Sequence, residues 1–193
     1  IFDIGNVLLD FCWKDHIARF GFQGEKADRI AQAMMLGPIW PKLDLGLESD
    51  EDILEQFVAH TPELEQEIRL VFSDLSTIVR EYEGSVDWIE SLKARGYHTY
   101  YLSNYGERIR REASKELSFL SHMDGGIMSY TVHLAKPDPA IYQTLLDRYG
   151  LKAEECVFLD DTVRNVEAEQ ALGIAGIVVT SQEQAKKELE TLL

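Results

Sequence analysis

Apolar positions along the chain follow two patterns. In the first, short apolar runs end in polar or glycine-rich residues and give way to helical spacing. These runs are Ile1–Asp3, Tyr97–Leu102, Gly126–Tyr130, Cys156–Leu159 and Ile174–Val179. Runs of that length, bounded by turn residues, predict strands. Helical segments lie between them. Ser85–Arg95 repeats Val86, Ile89 and Leu92 on one face and meets Gly96 where a helix C-terminus favours glycine. Ala140–Tyr149 follows Pro137 and Pro139, and Arg164–Leu172 stops at Gly173. Strands alternating with helices predict an α/β fold: a Rossmann-like parallel five-stranded sheet with helices on both faces. The second pattern fills residues 14–82, where helical spacing recurs and no strand is expected. Ser49-Asp50-Glu51-Asp52 opens a helix with Ile53, Leu54, Phe57 and Val58 as its apolar face. Pro62 opens another that runs to Phe72, and the segment 37–41 (Gly-Pro-Ile-Trp-Pro) separates helices. The expected division is a core of residues 1–13 and 83–193, with residues 14–82 as a small all-helical cap inserted after the first strand. The crossings near Phe11–Lys14 and Tyr82–Gly84 are short, and Gly84 permits hinge angles, so the cap is expected to act as a lid.

Composition leaves this picture standing and narrows the partners. The 193 residues are 45% hydrophobic and 27% charged, ordinary values for a globular chain. Nineteen basic against 34 acidic residues give a net charge of −15, which argues against nucleic acid and anionic membrane as partners. The longest apolar stretch, around Ala171–Val179, is too short for the ~20 residues that cross a bilayer. Asp3 and Asp10 interrupt the first apolar segment, which argues against a signal peptide. A start without Met, two residues before an acidic turn, suggests that a short N-terminal piece is missing. Cys12 and Cys156 match no disulfide or zinc spacing and are read as reduced packing residues. A cytoplasmic protein, monomeric or weakly dimeric, is the expectation.

With so acidic a chain, any phosphate pocket must build its own positive field, and the strand ends hold the parts for one. Ligands of open parallel sheets bind beyond the carboxyl ends of the strands. Asp3 ends the first strand, Ser103-Asn104 the second and Asp160-Asp161 the fourth, while Lys136 stands in the loop after the third. Crowded carboxylates repel unless a cation sits among them, and hard oxygen ligands suit Mg²⁺. A serine and backbone amides leading into a helix cradle an anion, and a lysine beside Mg²⁺ completes a kit for phosphoryl transfer. Each residue alone has a plainer reading as a turn, a cap or a surface charge. Their joint arrival at strand ends, in this order, favours the site.

Four short segments carry a family resemblance. Phe-Asp-Ile-Gly-Asn-Val (2–7), Leu-Ser-Asn (102–104), Lys136-Pro137 and Phe-Leu-Asp-Asp-Thr-Val-Arg-Asn (158–165) resemble, in order, the four motifs of the haloacid dehalogenase-like hydrolase superfamily. Within it, the chain is similar to small bacterial sugar-phosphate phosphatases, α-D-glucose-1-phosphate phosphatase-like, with a helical cap. The resemblance implies Asp3 as nucleophile, forming an aspartyl-phosphate, with Lys136 neutralising the crowded anions. It implies that Ser103, Asn104 and Lys136 hold the phosphoryl group of a small phosphorylated metabolite. Asp3, the Gly5 carbonyl, Asp161 and Asp160 would surround Mg²⁺, and Asn165 would support the last loop.

One position departs from the pattern. The family usually carries a second aspartate two residues after the nucleophile, to protonate the leaving alcohol and later activate water; here that residue is Gly5. General acid–base help is worth ~10²–10⁴-fold, so its absence points away from the phosphomutase branch and towards good leaving groups, such as an anomeric phosphate. Two other classes stay open: a 2-haloacid dehalogenase, against which the pair Asp160-Asp161 speaks, and a non-catalytic binding descendant. Trp40, Lys42 and Asp44 lie in the cap within reach of a substrate, although an aromatic beside Pro41 is more often packing.

Overall fold

The computed structural model describes residues 1–193 and contains six short strands: β1 (Leu9–Phe11), β2 (Val79–Glu81), β3 (Tyr100–Ser103), β4 (Gly125–Met128), β5 (Val157–Asp160) and β6 (Ala175–Val178). The fold is mixed α/β, but the expected five-stranded sheet resolves differently. Two parallel ribbons, β3 with β4 and β5 with β6, flank the first residues of the chain. Phe2 bridges to Tyr101 on one side and Leu159 on the other. The amide of Phe2 donates to the Tyr100 carbonyl and that of Asp3 to the Leu159 carbonyl, both at 2.8 Å. The first strand of the reading is therefore a single bridging residue between two ribbons. That suffices to seat Asp3 between the carboxyl ends of β3 and β5.

The structure corrects the expectation that residues 14–82 hold no strand. β2 lies inside that range and pairs antiparallel with β1, Leu9 opposite Glu81 and Phe11 opposite Val79. Three residues were too few for a period-2 signal, and Val79 is the one buried side chain of the strand. The ribbon ties together the two points where the chain enters and leaves the helical segment.

That segment holds α1 (Trp13–Arg19), α2 (Gly24–Ala33), α3 (Pro41–Leu45), α4 (Asp50–His60) and α5 (Glu65–Phe72). Ser49 caps α4, accepting from the Asp52 amide at 3.1 Å, where the run of acids also suits the positive end of the helix. α5 begins later than expected, because Pro62–Leu64 forms a separate 3₁₀ turn. Phe57 stacks between Trp40 at 6.1 Å and Phe72 at 5.7 Å. The remaining helices are α6 (Ser85–Ala94), α7 (Glu107–Glu112), α8 (Pro139–Tyr149), α9 (Val163–Gln170) and α10 (Gln182–Leu189). Phe2 meets Trp88 of α6 edge-on at 5.0 Å. One apolar interior runs from Ile17, Ile30 and Phe57 through Leu75 and Ile78 to Leu8, Trp88 and Leu159. A fully buried Leu, Ile or Phe stabilises by roughly 1.5–3 kcal/mol, so this continuity binds the helical segment firmly to the sheet. No helix is long and apolar enough to cross a membrane. Cys12 and Cys156 are both free thiols.

Candidate active site

Parallel strands place the residues that follow them on one rim, and four of the sequence candidates meet there. Lys136 is 3% exposed and its ammonium sits 2.9 Å from Asp3 Oδ1 and 2.6 Å from Asp160 Oδ2. Burial alone would depress that ammonium, but the two carboxylates outweigh it and hold the lysine above its ordinary range. Asp3 Oδ1 also accepts from the Ile4 amide at 2.7 Å. Burial pushes the Asp3 carboxyl up to about 6 and Asp160 adds to this, while Lys136 and the Ser103 hydroxyl oppose the rise. Ser103 itself is 2% exposed at the end of β3.

Asn104 and Asp160 use their polar atoms largely on other site residues. The Asn104 side chain donates to the Lys136 carbonyl at 2.9 Å and accepts from the Lys136 amide at 2.8 Å. It clamps the lysine loop to the end of β3. Asp160 is completely buried. It accepts from Lys136, from the Asn165 amide group at 3.0 Å on both oxygens, and from the Thr162 amide at 2.8 Å. Asn165 in turn accepts the Tyr142 hydroxyl on its own carbonyl, which fixes the start of α9.

Asp3, Asp160 and Asp161 bring carboxylate oxygens within 4.8 Å of one another. Three carboxylates with one ammonium among them leave the cluster net negative, and every donor is oxygen, so the set fits a hard divalent cation. Asp161 is half-buried and accepts from Asn6 Nδ2 at 2.8 Å and the Thr162 hydroxyl at 3.2 Å. Asn6 holds φ at +56°, a left-handed turn that asparagine tolerates, and this turn aims its amide at Asp161.

A cavity of about 230 Å³ opens on this cluster. Asp3, Gly5, Asn6, Asp161 and Thr162 line one side, and Ser103, Asn104 and Tyr105 another. The helical segment supplies Trp40, Asp44 and Val79. Trp40 is packed against Phe11 at 6.1 Å as well as Phe57, and Lys42 turns away to Glu48 at 3.2 Å. Of the three residues noted in the sequence, Asp44 is thus the polar one that reaches the cavity. Burial pushes its carboxyl up to about 7, with Asp3 reinforcing and Lys136 opposing. Sequence reasoning missed Asn6, although it lies inside the first motif, and Ser129, which no pattern marked. Ser129 takes the Tyr105 amide at 2.9 Å and donates to the Asp44 carbonyl, joining α3 to the loop after β3.

Comparison with known proteins adds four findings. Residues 1–173 match the family model described as haloacid dehalogenase-like hydrolase. The acyl-CoA dehydrogenase family member 10 of Mus musculus is 31% identical over 162 residues, 81% of this chain and 15% of that protein. The phosphorylated carbohydrates phosphatase of Thermotoga maritima is 30% identical over 142 residues, 72% of this chain and 63% of that protein. The chain therefore spans less than two thirds of either relative. A HAD family enzyme from Bacteroides thetaiotaomicron, solved in complex with magnesium and inorganic phosphate, superposes with a TM-score of 0.70. It is 21% identical, covering 93% of this chain and 92% of its own, a likeness of fold.

Proposed function

The chain belongs to the haloacid dehalogenase-like hydrolases, and on that premise we propose that it is an Mg²⁺-dependent phosphatase of small phosphorylated metabolites, sugar phosphates among them, working through an aspartyl-phosphate on Asp3. The observation that carries the reading is Lys136, buried between Asp3 and Asp160 at 2.9 and 2.6 Å, directly behind an Asp3 that lines the cavity together with Ser103. A buried ammonium shared by two carboxylates contributes little to folding. At a nucleophile it cancels the repulsion between a carboxylate and an incoming phosphate dianion. The kinship with a phosphatase of phosphorylated carbohydrates supports the substrate class, and a cavity of about 230 Å³ suits a small ester.

Each residue then has a defined task. The Asp3 carboxylate attacks phosphorus while the Ser103 hydroxyl and backbone amides at the end of β3 hold the phosphoryl oxygens. Lys136 stays charged throughout, kept so by Asp160, and Asn104 and Asn165 keep that pair in place. Asp3, the Gly5 carbonyl and Asp161 are the residues that would hold Mg²⁺, with Asp160 behind them. When bound, the ion would supply Lewis-acid neutralisation of the phosphoryl oxygens. Water then cleaves the acyl phosphate. Residues 14–82, as a cap over the core of 1–13 and 83–193, would shape the leaving-group side of the cavity.

The test is a panel of phosphorylated metabolites assayed with and without Mg²⁺, on the wild type and Asp3→Asn. We expect Mg²⁺-dependent release of phosphate from small monoesters, and loss of turnover in a folded Asp3→Asn variant, since an amide cannot attack phosphorus. A folded Asn variant that keeps most of its activity would exclude Asp3 as nucleophile. Undiminished turnover after thorough chelation, with chloride released from a 2-haloacid, would replace the phosphatase by a dehalogenase.

A further inference from the structure

We propose that Asp44 of α3 is the general acid–base of this site, replacing from the cap side the carboxylate that Gly5 lacks. The proposal rests on the phosphatase reading above and deepens it.

Four observations meet at this residue. Asp44 lines the same cavity as Asp3, Ser103 and Asp161, but approaches from the helical segment, where a leaving group would lie. Its carboxylate is also unspent. Several other acids of the helical segment are paired: Asp74 with Arg19, Glu63 with Arg29 at 2.9 Å, and Glu55 with Arg69 at 2.8 Å. Lys42, two residues away on the same helix, goes to Glu48 and to Gln56 instead. An enclosed carboxylate with no partner costs stability and is accounted for by a task in the cavity.

The third observation is how firmly its backbone is held. The Asp44 carbonyl accepts from Ser129, whose oxygen takes the Tyr105 amide at 2.9 Å. The next carbonyl, Leu45, lies 2.8 Å from His133 Nδ1, so that nitrogen carries the proton. Gly46 follows at φ +61° against Tyr130, where a Cβ would come within 2.9 Å of the tyrosine Cβ. α3 is therefore pinned to the loop that leaves Ser103-Asn104 and to the loop that leads into Lys136. That is the precision a proton donor needs.

Charge supplies the fourth. The titratable groups facing Asp44 are Asp3, Lys136 and Tyr105. Asp161 stands across the cavity. Burial raises its carboxyl, with Asp3 adding to this and Lys136 opposing.

The steps balance as follows. Asp3 attacks phosphorus and the P–O bond to the leaving group breaks; that oxygen takes the proton of the Asp44 carboxyl and departs as an alcohol. Asp44, now a carboxylate, accepts a proton from the water that attacks phosphorus. The bond from phosphorus to Asp3 breaks, inorganic phosphate leaves, and both residues return to their starting states.

The experiment compares Asp44→Asn, Asp44→Glu and wild type on a simple alkyl phosphate and on 2,4-dinitrophenyl phosphate, whose leaving group needs no proton. Asp44→Asn should lose ~10²–10⁴-fold in kcat on the alkyl ester. On the dinitrophenyl ester it should give a stoichiometric burst of phenol followed by slow turnover, because the second step still lacks its base. Asp44→Glu should recover part of both. The Asn variant should melt no lower than wild type, since it sheds an unpaired enclosed charge. Equal loss in the first, phosphoryl-transfer step on the two esters, absence of a burst, or an effect confined to KM would overturn the assignment and leave Asp44 as a substrate contact. Failure of the phosphatase reading looks different: wild-type protein that hydrolyses neither ester, or active Asp3→Asn, would remove the reading and this assignment together.

Discussion

Lys136 and His16 are both buried bases, and their surroundings drive them to opposite protonation states. Lys136 is charged because Asp3 and Asp160 lie within 2.9 and 2.6 Å. His16 is fully buried, with Nδ1 3.0 Å from the Thr77 hydroxyl and Nε2 3.3 Å from the Val71 carbonyl. Burial dominates there and lowers its pKa, so the folded protein keeps it neutral. The sign of the linkage follows. Below its unfolded value of about 6.5 the unfolded chain binds a proton that the folded one refuses. Stability from this site is complete above that pH and is lost as pH falls towards the depressed folded value. Asp3 and Asp44, both raised in the folded protein, push stability the other way over this window, so we expect the urea-midpoint advantage of wild type over His16→Gln to shrink from pH 7 to pH 5. An identical pH slope in the variant would show that His16 is not its source.

Among the elements, α3 has the greatest leverage for its size. Five residues long, it follows Trp40, begins at Pro41 and is capped by Gly46 in the left-handed region, φ +61°. Its packing on Tyr130 leaves no room for a side chain at Gly46, and its carbonyls are held by Ser129 and His133. Gly46→Val should cost roughly 1–3 kcal/mol through its strained backbone, measurable by denaturant unfolding. Because the strain falls two residues from Asp44, the same variant should lose turnover on alkyl phosphates. A variant with unchanged stability and turnover would mean that α3 docks independently of this turn. The β1–β2 ribbon has a complementary role, since its pairs Leu9–Glu81 and Phe11–Val79 fasten both crossings side by side.

At the scale of the whole molecule, one apolar interior runs through the helical segment and the sheet, and the cavity opens where they meet. Motion of residues 14–82 over the site is therefore expected to be a small adjustment about the paired crossings and Gly84, which sits at φ +85° ahead of α6. Hydrogen exchange with Mg²⁺ and beryllofluoride should raise protection in α3 and at both crossings, as closure excludes water from the site. Protection confined to the loops bearing Asp3, Ser103, Lys136 and Asp161 would leave a rigid cap that only shapes the pocket.

Much of this was written locally in the chain. The apolar runs ending in Asp3, Ser103 and Asp160 marked strand ends because period and turn chemistry are properties of neighbouring residues. A parallel arrangement then obliges those ends to share one rim, so the cluster of Asp3, Lys136, Asp160 and Asp161 was legible before any coordinates. So were the Ser49 cap, the start of α8 behind its prolines and the reduced cysteines. Other features were decided only by the fold. The first strand is reduced to Phe2, bridged to Tyr101 on one side and to Leu159 on the other. β2 is three residues long and exists because β1 offers it an edge. Asn104 clamps Lys136, and Ser129 reaches Asp44 across 85 residues of chain. A sequence states which side chains carry charge or a hydroxyl. Whether a carboxylate such as Asp44 is neutralised or left facing a cavity depends on which distant groups share its enclosure, and that is settled by packing alone.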